Sequence, residues 1–168
     1  MVILKARNFR SVKGVPYTRL EYIHGVPQSR ITRFNMGTWK EDFDYLIELK
    51  ANETVYMRDI ALESLRVNVN RHLHKKIGTQ NYYFTVVVYP HHILRENKMM
   101  TGAGADRLQE GMRRAFGKPV GRAAAIKKGQ TIAKIFTYAN YVDIAKNALK
   151  IGASKVPKGA YIYVSRRE

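Results

Sequence analysis

Hydrophobic residues recur along this chain in two periods, one typical of helices and one typical of strands. A run spaced three and four residues apart forms a single apolar stripe on a helix: Leu62, Leu65, Val69, Leu73 and Ile77. Asp59 suits the N-cap of this helix and Gly78 suits its C-terminal end. The pattern therefore predicts a helix from about residue 59 to residue 78, with the stripe facing the core.

Short runs rich in β-branched and aromatic residues predict strands at 45–50, 54–57, 82–89, 120–126, 131–138 and 160–164. A turn at 51–52 separates the first two strands, and a turn at 127–130 separates the strands at 120–126 and 131–138. Asn140 and Asp143 approximate a capping box, which predicts a second helix through about Lys150 that ends at Gly152. Strands and two main helices mix without a regular βαβ rhythm, so we expect a two-layer α+β sandwich.

One long segment, residues 90–117, interrupts this pattern and predicts a loop. Loops of this length are uncommon in compact domains and are usually functional or disordered. Its glycines allow close approach to a partner, and its cations suit phosphate oxygens. The cations in and beside the loop are Arg95, Lys98, Arg107, Arg113, Arg114 and Lys118. We interpret the loop as a segment that becomes ordered against a polyanion.

The charge of the chain favours a polyanionic partner. Among 168 residues, 30 are Lys or Arg and 13 are Asp or Glu, which gives a formal net charge of +17. Such a charge opposes compaction unless a partner neutralises it, and acidic residues would serve solubility better. The absence of cysteine excludes a disulfide framework, a zinc finger and a cysteine nucleophile. No signal sequence or membrane span is predicted, so we expect a soluble, cytoplasmic protein that binds nucleic acid.

The basic residues are unevenly distributed. Residues 1–40 carry eight Lys or Arg and one acid, with aromatic residues between them that could stack on bases or fill the edge of a core. Residues 41–60 are acidic, which indicates a solvent-facing or intramolecular side. We therefore divide the chain into a basic extension, 1–40, and a single α/β domain, 41–168. The polar face of the first helix is also basic, although cations in its last turn additionally favour the helix dipole.

The sequence does not match the motifs of common cofactor-binding and metal sites. Gly102 and Gly104 begin a dinucleotide fingerprint, but Arg107 stands where the third glycine belongs. A phosphate-binding loop ending at Lys118 fails because Pro119 replaces the magnesium-binding hydroxyl. The histidines lack the carboxylate and cysteine partners of a metal site. We expect no metal, no cofactor and no enzymatic activity.

Several segments together resemble a known family. Residues 17–37, 95–98, 102–107, 111–113 and 116–118 resemble the large-subunit ribosomal protein family called L-ten-e in archaea and L-sixteen in bacteria. The resemblance covers essentially the whole chain, and its short length and lack of cysteine are similar to archaeal members. Arg114 and Arg122 stand where the family is expected to have smaller residues.

The resemblance implies a hammerhead-type α/β sandwich embedded in large-subunit, 23S-type rRNA near the 5S rRNA and the A site. Its other implied partners are tRNA and neighbouring ribosomal proteins, with the long loop pointing toward tRNA and the peptidyl transferase centre. Basic pattern and resemblance together predict the following rRNA contacts: Lys5, Arg7, Arg10, Lys13, Arg19, Arg30, Arg33, Arg66, Arg71, His74, Lys75, Lys118 and Arg122. The residues predicted to face tRNA are Arg95, Lys98, Gly102, Gly104, Asp106, Arg107 and Arg113.

Two other functions remain open from the sequence. A tRNA- or rRNA-modifying enzyme would also need a basic surface and a long loop, but the only acids in the loop proper after Glu96 are Asp106 and Glu110. Those acids are better explained as partners of neighbouring arginines. A DNA-packaging protein is disfavoured, because no dimerising segment accompanies the predicted core.

Overall fold

Two antiparallel sheets and two α-helices form the fold in the part of the chain that the structure describes. The computed structural model describes residues 5, 10–12, 18–98, 111–113 and 115–167. The strands are β1 (Asn35–Gly37), β2 (Tyr45–Ala51), β3 (Val55–Arg58), β4 (Tyr82–Val86), β5 (His92–Glu96), β6 (Lys118–Ile126), β7 (Thr131–Thr137) and β8 (Ala160–Arg166). The helices are α1 (Asp59–Ile77) and α2 (Val142–Ala153).

The chain passes between the two sheets at both turns that the sequence predicts. The large sheet has the strand order β1-β4-β7-β2-β8, and the small sheet has the order β3-β6-β5. Thus β2 and β3 lie in different sheets, as do β6 and β7, although each pair is adjacent in sequence. Both edges of β2 are already occupied by β7 and β8, which leaves no edge for β3. The α+β class with two main helices is confirmed.

Helix α1 follows the predicted pattern closely. All five residues of its apolar stripe are buried, and Gly78 ends the helix with φ +80° and an N–H that donates to His74 O. Its start differs from the prediction, because Arg58 occupies the N-cap without a side-chain bond. Asp59 is instead the first helical residue, and its carboxylate accepts hydrogen bonds from the N–H groups of Arg30 and Ile60. The carboxylate therefore ties the preceding segment to the helix.

Helix α2 departs from the prediction at its start, whereas its last residue, Ala153, lies only one residue beyond the predicted Gly152. Residues Ala139–Tyr141 form a 3-10 turn, and the helix proper begins at Val142 without a side-chain cap from Asn140. Gly152 is buried in the last turn of the helix. A Cβ at Gly152 would lie 2.8 Å from Val69 Cγ2, so the missing side chain lets α2 approach α1 closely. The sequence signal was read as a helix stop, whereas packing between helices is its cause.

The predicted loop at 90–117 begins with a strand that the sequence analysis missed. Strand β5 pairs with β6, so Arg95 and Glu96 belong to the small sheet. The segment returns to the sheet at Gly117, which has φ +75° and lies against the backbone of Glu96. Strand β5 lacks the alternation that would mark a strand, because Ile93 and Leu94 are both buried and the pairing register shifts after Leu94. The predicted strand at 82–89 is correspondingly shorter, because ladder pairing ends at Val86.

Part of the basic extension is built into this fold. Ile31 and Met36 are buried in the core, and β1 pairs with β4 at the edge of the large sheet. The division of the chain at residue 40 stays a prediction, but residues 31–37 share the core of the α+β domain. Among the residues described, no helix is long and apolar enough to cross a membrane.

Candidate nucleic-acid interface

The polar face of α1 forms an open groove that we call the helix groove. Its volume is about 420 Å³, and its lining residues recur at helical spacing because they share one face of α1: Arg66, Val67, Asn70, Arg71, His74 and Lys75. The structure thus brings together all four α1 residues predicted to contact rRNA. The Tyr82 hydroxyl donates to Asn70 Oδ1 at 2.8 Å, which links one wall of the groove to β4.

The cations of the helix groove are not equivalent. Arg66 donates from Nε to Glu63 Oε2 at 2.8 Å, and its Nη2 bonds the other carboxylate oxygen. Hydrogen bonding with Arg66 lowers the pKa of Glu63, and the same bond raises the pKa of Arg66. Glu63 therefore compensates much of the charge of Arg66. Arg71 and Lys75 have exposed side chains on the same face, so they supply the positive field of the groove.

A second groove, the β5 groove, lies where residues 18–23 pass over the small sheet. Its volume is about 560 Å³, and it is lined by residues from three segments: Thr18, Arg19, Tyr22, Ile23, His92, Ile93, Arg95 and Phe116. Two of these side chains are strongly exposed aromatic rings, Tyr22 at 70% and Phe116 at 79%. The groove therefore combines aromatic surface with arginine side chains.

Two histidines hold one wall of the β5 groove in place. His91 Nε2–H donates to Thr18 O at 3.0 Å, and Thr18 Oγ1 shares a 2.6 Å hydrogen bond with His92 Nδ1. The ring of Tyr56 stacks on His92 with a centroid distance of 4.8 Å. Burial lowers the pKa of His92, and the neighbouring His91 lowers it further. His92 is therefore neutral at pH 7 and acts in packing and hydrogen bonding.

Arg95 is held rigidly beside the opposite wall. Its Nη2 donates to Gly117 O at 2.6 Å and its Nε donates to Phe116 O at 3.3 Å. These bonds place the guanidinium 3.8 Å from the centroid of the Phe116 ring, as a cation–π pair. Arg95 was predicted to be a loop residue that faces tRNA, but the structure makes it a strand residue that binds the backbone at the far end of the predicted loop, at Phe116 and Gly117. Its contact with tRNA stays a prediction.

Other predicted residues are distributed over several surfaces. Those with exposed side chains are Lys5, Arg10, Arg19, Arg30, Arg33, Lys98, Arg113 and Lys118. Arg122 is half-buried, and its guanidinium donates to Pro27 O at 2.7 Å and to the Tyr89 hydroxyl at 3.3 Å. It therefore fastens residue 27 to β6. The predicted residues that lie outside the described part of the chain are Arg7, Lys13, Gly102, Gly104, Asp106 and Arg107.

The sequence indicated that aromatic residues of the extension could stack on bases, but it did not single out Phe116 as a residue of the site. The Phe116 ring is strongly exposed, and the cations around it in the sequence are the one local sign that it lies on a surface. Tyr22 was noted as able to stack on bases, and the structure leaves its ring exposed. Within the described residues, no group of three or more His, Cys, Asp or Glu side chains could hold a metal ion.

Comparison with known proteins gives a consistent result along the chain. The family described as Ribosomal protein L16p/L10e matches residues 12–163. The large ribosomal subunit protein uL16 of Hyperthermus butylicus is 52% identical over 158 residues, which cover 94% of this chain and 88% of that protein. The uL16 proteins of Methanoculleus marisnigri and Thermofilum pendens are 46% and 44% identical and cover 99% and 100% of this chain, with 98% and 100% of their own lengths matched. This chain therefore belongs to the ribosomal protein L16p/L10e family.

Proposed function

We propose that this protein is a structural constituent of the large ribosomal subunit that binds rRNA and acts in translation. The observation that carries the proposal is the match of residues 12–163 to the family, with uL16 relatives matched over nearly their full length. The formal charge of +17 agrees with a protein that functions against a polyanion. The partners that follow are rRNA and neighbouring ribosomal proteins in the cytoplasm.

The helix groove offers a physical means of holding RNA. Arg71 and Lys75 face solvent one helical turn apart, so they can reach neighbouring phosphates of one RNA backbone. Contacts of this kind fix the position and orientation of a protein without reading sequence. Since Glu63 compensates Arg66, Arg71 and Lys75 are the principal phosphate contacts in this proposal.

Several finer parts of the proposal extend beyond family membership. We place the protein near the 5S rRNA and the A site, with segment 90–117 directed toward tRNA and the peptidyl transferase centre. The α+β domain corresponds in this proposal to the hammerhead-type sandwich, and residues 1–40 supply a basic rRNA-binding extension. These assignments are what the resemblance to the family implies, and the glycine-rich, cation-rich loop and the eight cations of the extension agree with contacts to RNA.

A tRNA- or rRNA-modifying enzyme is the less favoured alternative. The acids that the structure describes between residues 41 and 63 largely bind cations, hydroxyl groups or backbone N–H groups of this chain, as Glu48 and Asp59 do. Side chains engaged in this way hold the fold together and do not form an acid/base pair in a cleft. The family to which the chain belongs is one of structural ribosomal proteins.

Sedimentation of the native protein tests the proposed function directly. We expect the protein to migrate with the large ribosomal subunit and to be absent from the pool of free protein. A predominantly free pool that turns over tRNA would favour the enzyme and reject the structural role.

A salt titration tests the helix groove. Each neutralised phosphate contributes about 0.7 to 0.9 to the slope of log K against log salt concentration. Replacing Arg71 and Lys75 with Gln should therefore flatten the slope for an rRNA fragment by about one to two. The control is the charge-matched double variant Lys127→Gln with Lys128→Gln, at the turn between β6 and β7, which should keep the wild-type slope. An unchanged slope in the Arg71 and Lys75 variant would show that the groove is only solvated.

A further inference from the structure

We infer that the β5 groove receives an unpaired base of the rRNA, stacked against the rings of Tyr22 and Phe116. This inference rests on the proposed function, since it names the part of the RNA that one surface of the protein binds. It assigns a role to a cluster of side chains that phosphate contacts do not explain. Four residues from three separate segments make the site: Arg19 and Tyr22, Arg95 on β5, and Phe116.

The exposure of the two rings is the first observation. Tyr22 and Phe116 are 70% and 79% exposed, although both line the same groove. Large aromatic rings this open to water leave much of their apolar area unburied, and covering that area on binding is favourable. Planar bases present a π face of the size and shape that such rings stack upon, regardless of base identity.

The way in which Phe116 is held is the second observation. Arg95 bonds the carbonyl groups of Phe116 and Gly117, and its guanidinium lies 3.8 Å from the ring centroid. The ring therefore has a rigid cationic backing before any partner arrives, which lowers the entropy lost on binding. Across the groove, the guanidinium of Arg19 lies 5.9 Å from the centroid of the Tyr22 ring. Each ring is thus paired with an arginine.

Hydrogen bonding inside the groove indicates stacking in preference to edge recognition. The carbonyl of Thr18 is bound by His91, and the hydroxyl of Thr18 is bound by His92. The Nε and Nη2 atoms of Arg95 are bound to backbone carbonyls. The polar atoms of Thr18 and two donors of Arg95 are therefore already engaged within the protein, and the two exposed rings offer apolar surface to a ligand.

Charge distinguishes a base of RNA from an apolar side chain of another protein. A base brings phosphates on both sides, and the groove opens on a chain with a net charge of +17 that carries arginines at this site. Aromatic and arginine planes are the usual partners of bases splayed from single-stranded RNA. At about 560 Å³ the groove also falls within the usual size of sites for small planar ligands.

The experiment uses large subunits that contain the full-length protein. Subunits assembled with Phe116→Leu or Tyr22→Leu are compared with the wild type, since leucine keeps apolar bulk but removes the π face. The ring-preserving variants Phe116→Trp and Tyr22→Phe test rescue. Tyr163→Leu is the matched control, because Tyr163 is also a half-exposed ring but lies on β8. Incorporation is measured by sedimentation, and the reactivity of unpaired nucleotides is measured by acylation of the 2′-hydroxyl group, which increases when a nucleotide is no longer held by stacking.

We expect normal incorporation and a rise of roughly fivefold or more in the reactivity of the same few unpaired nucleotides in both leucine variants. The ring-preserving variants and Tyr163→Leu should match the wild type. Normal incorporation without a change at any nucleotide would overturn the inference and leave the proposed function intact. Absence of the wild-type protein from large subunits would instead reject the proposed function.

Loss of incorporation in the leucine variants is resolved by a second measurement on the wild type. Ultraviolet light joins stacked aromatic side chains and bases without a linker. A crosslink from Tyr22 or Phe116 to an rRNA base supports the inference. Crosslinks to a neighbouring protein, or none from either ring, overturn it.

Discussion

At one position in this protein, Gly152, close packing of two helices requires a residue without a side chain. Gly152 lies in the last turn of α2, where glycine is a weaker helix former than alanine. The close approach of Val69 and Leu65 outweighs this disadvantage, because it lets α1 and α2 bury their apolar faces against each other. The same residue type at Gly121 has open space around it.

The substitution Gly152→Ala should lower the free energy of unfolding by about 1–3 kcal/mol, because the new methyl group would overlap Val69. Denaturant unfolding measures the change. Gly121→Ala is the control and should change stability by less than about 0.5 kcal/mol. Equal effects of the two substitutions would contradict close packing between α1 and α2.

Glu48 is a nearly buried carboxylate whose charge is stabilised by two lysines. It lies 3.1 Å from Lys50 Nζ and 3.3 Å from Lys134 Nζ, and it accepts a hydrogen bond from the Thr131 hydroxyl. Burial alone would raise the pKa of Glu48, but the hydrogen bonds and charges of both lysines outweigh burial and lower it. The carboxylate therefore stays ionised in the folded protein at pH values where it would protonate in the unfolded chain.

Because the folded-state pKa is depressed, Glu48 contributes stability above its unfolded pKa and loses that contribution as pH falls through its folded pKa. Glu48→Gln should lower the free energy of unfolding by about 1.5 kcal/mol at pH 7. The difference from the wild type should shrink in acid below the ordinary glutamate range. Unfolding curves across pH check this, with Glu41→Gln as an exposed control. If the difference in free energy of unfolding between Glu48→Gln and the wild type did not change with pH, the charge of Glu48 would not be the source of its stabilisation.

At the scale of elements, the sequence pattern predicted the long periodic helix α1 but not the short strands β1 and β5. The α1 stripe could be recognised because five buried residues recur at helical spacing from Leu62 to Ile77. Strand β1 has only three residues, and β5 is short and follows Pro90, so neither has room for a clear alternation. Their existence depends on distant partners, β4 and β6, and tertiary pairing of this kind leaves little local signal.

Of the two grooves of the candidate site, one could be predicted from the sequence and the other could not. The helix groove could be predicted, since helical spacing alone puts Arg71, His74 and Lys75 on one face. The β5 groove could not, because it joins Tyr22 to Phe116 across ninety-four positions of sequence through contacts made by Thr18 and His92. Nothing in the spacing of those residues indicates that they meet.

The tie between Asp59 and Arg30 joins the start of α1 to the segment that leads into β1. Asp59→Ala should speed hydrogen exchange at the Arg30 amide and lower the free energy of unfolding by about 1–2 kcal/mol, since the N–H groups of Arg30 and Ile60 both lose their acceptor. Hydrogen exchange at the Val86 amide, which donates to Phe34 O, should rise no more than the loss of overall stability explains. Asp143→Ala, at an exposed position in α2, is the control. Unchanged exchange at Arg30 would show that the bond contributes nothing.

At the scale of the whole molecule, the fold separates its core from the segment proposed to act in translation. Strands β5 and β6 pair with each other, so the chain leaves and re-enters the small sheet at neighbouring positions, Glu96 and Lys118. The main core cluster contains residues of both sheets and both helices, but none of its described members lies between Glu96 and Lys118. A change between these two strands therefore leaves the buried core intact.

Deleting residues 99–109 should leave thermal unfolding within a few degrees of the wild type, because β5 and β6 keep their pairing. The variant should enter the large subunit while tRNA accommodation or peptide-bond formation falls. Unfolding, incorporation and translation would be measured on one preparation. Full translation by incorporated variant would reject the proposed role of the segment, and collapse of the fold would show that the segment is structural.

The strand order of the large sheet has a consequence for the time at which the fold can close. Strand β2 pairs along its whole length with β8, so Tyr45 meets Arg166 and Ala51 meets Ala160. During synthesis, β2 emerges long before β8, and one of its edges waits unpaired until the last strand appears. Contacts of such long sequence separation form slowly, because the intervening chain must first be closed into a loop. Folding is therefore completed only after β8 has been synthesised. A chain that ends before β8 keeps one edge of β2 unpaired, and the exposed backbone N–H and C=O groups of that edge can pair with other chains.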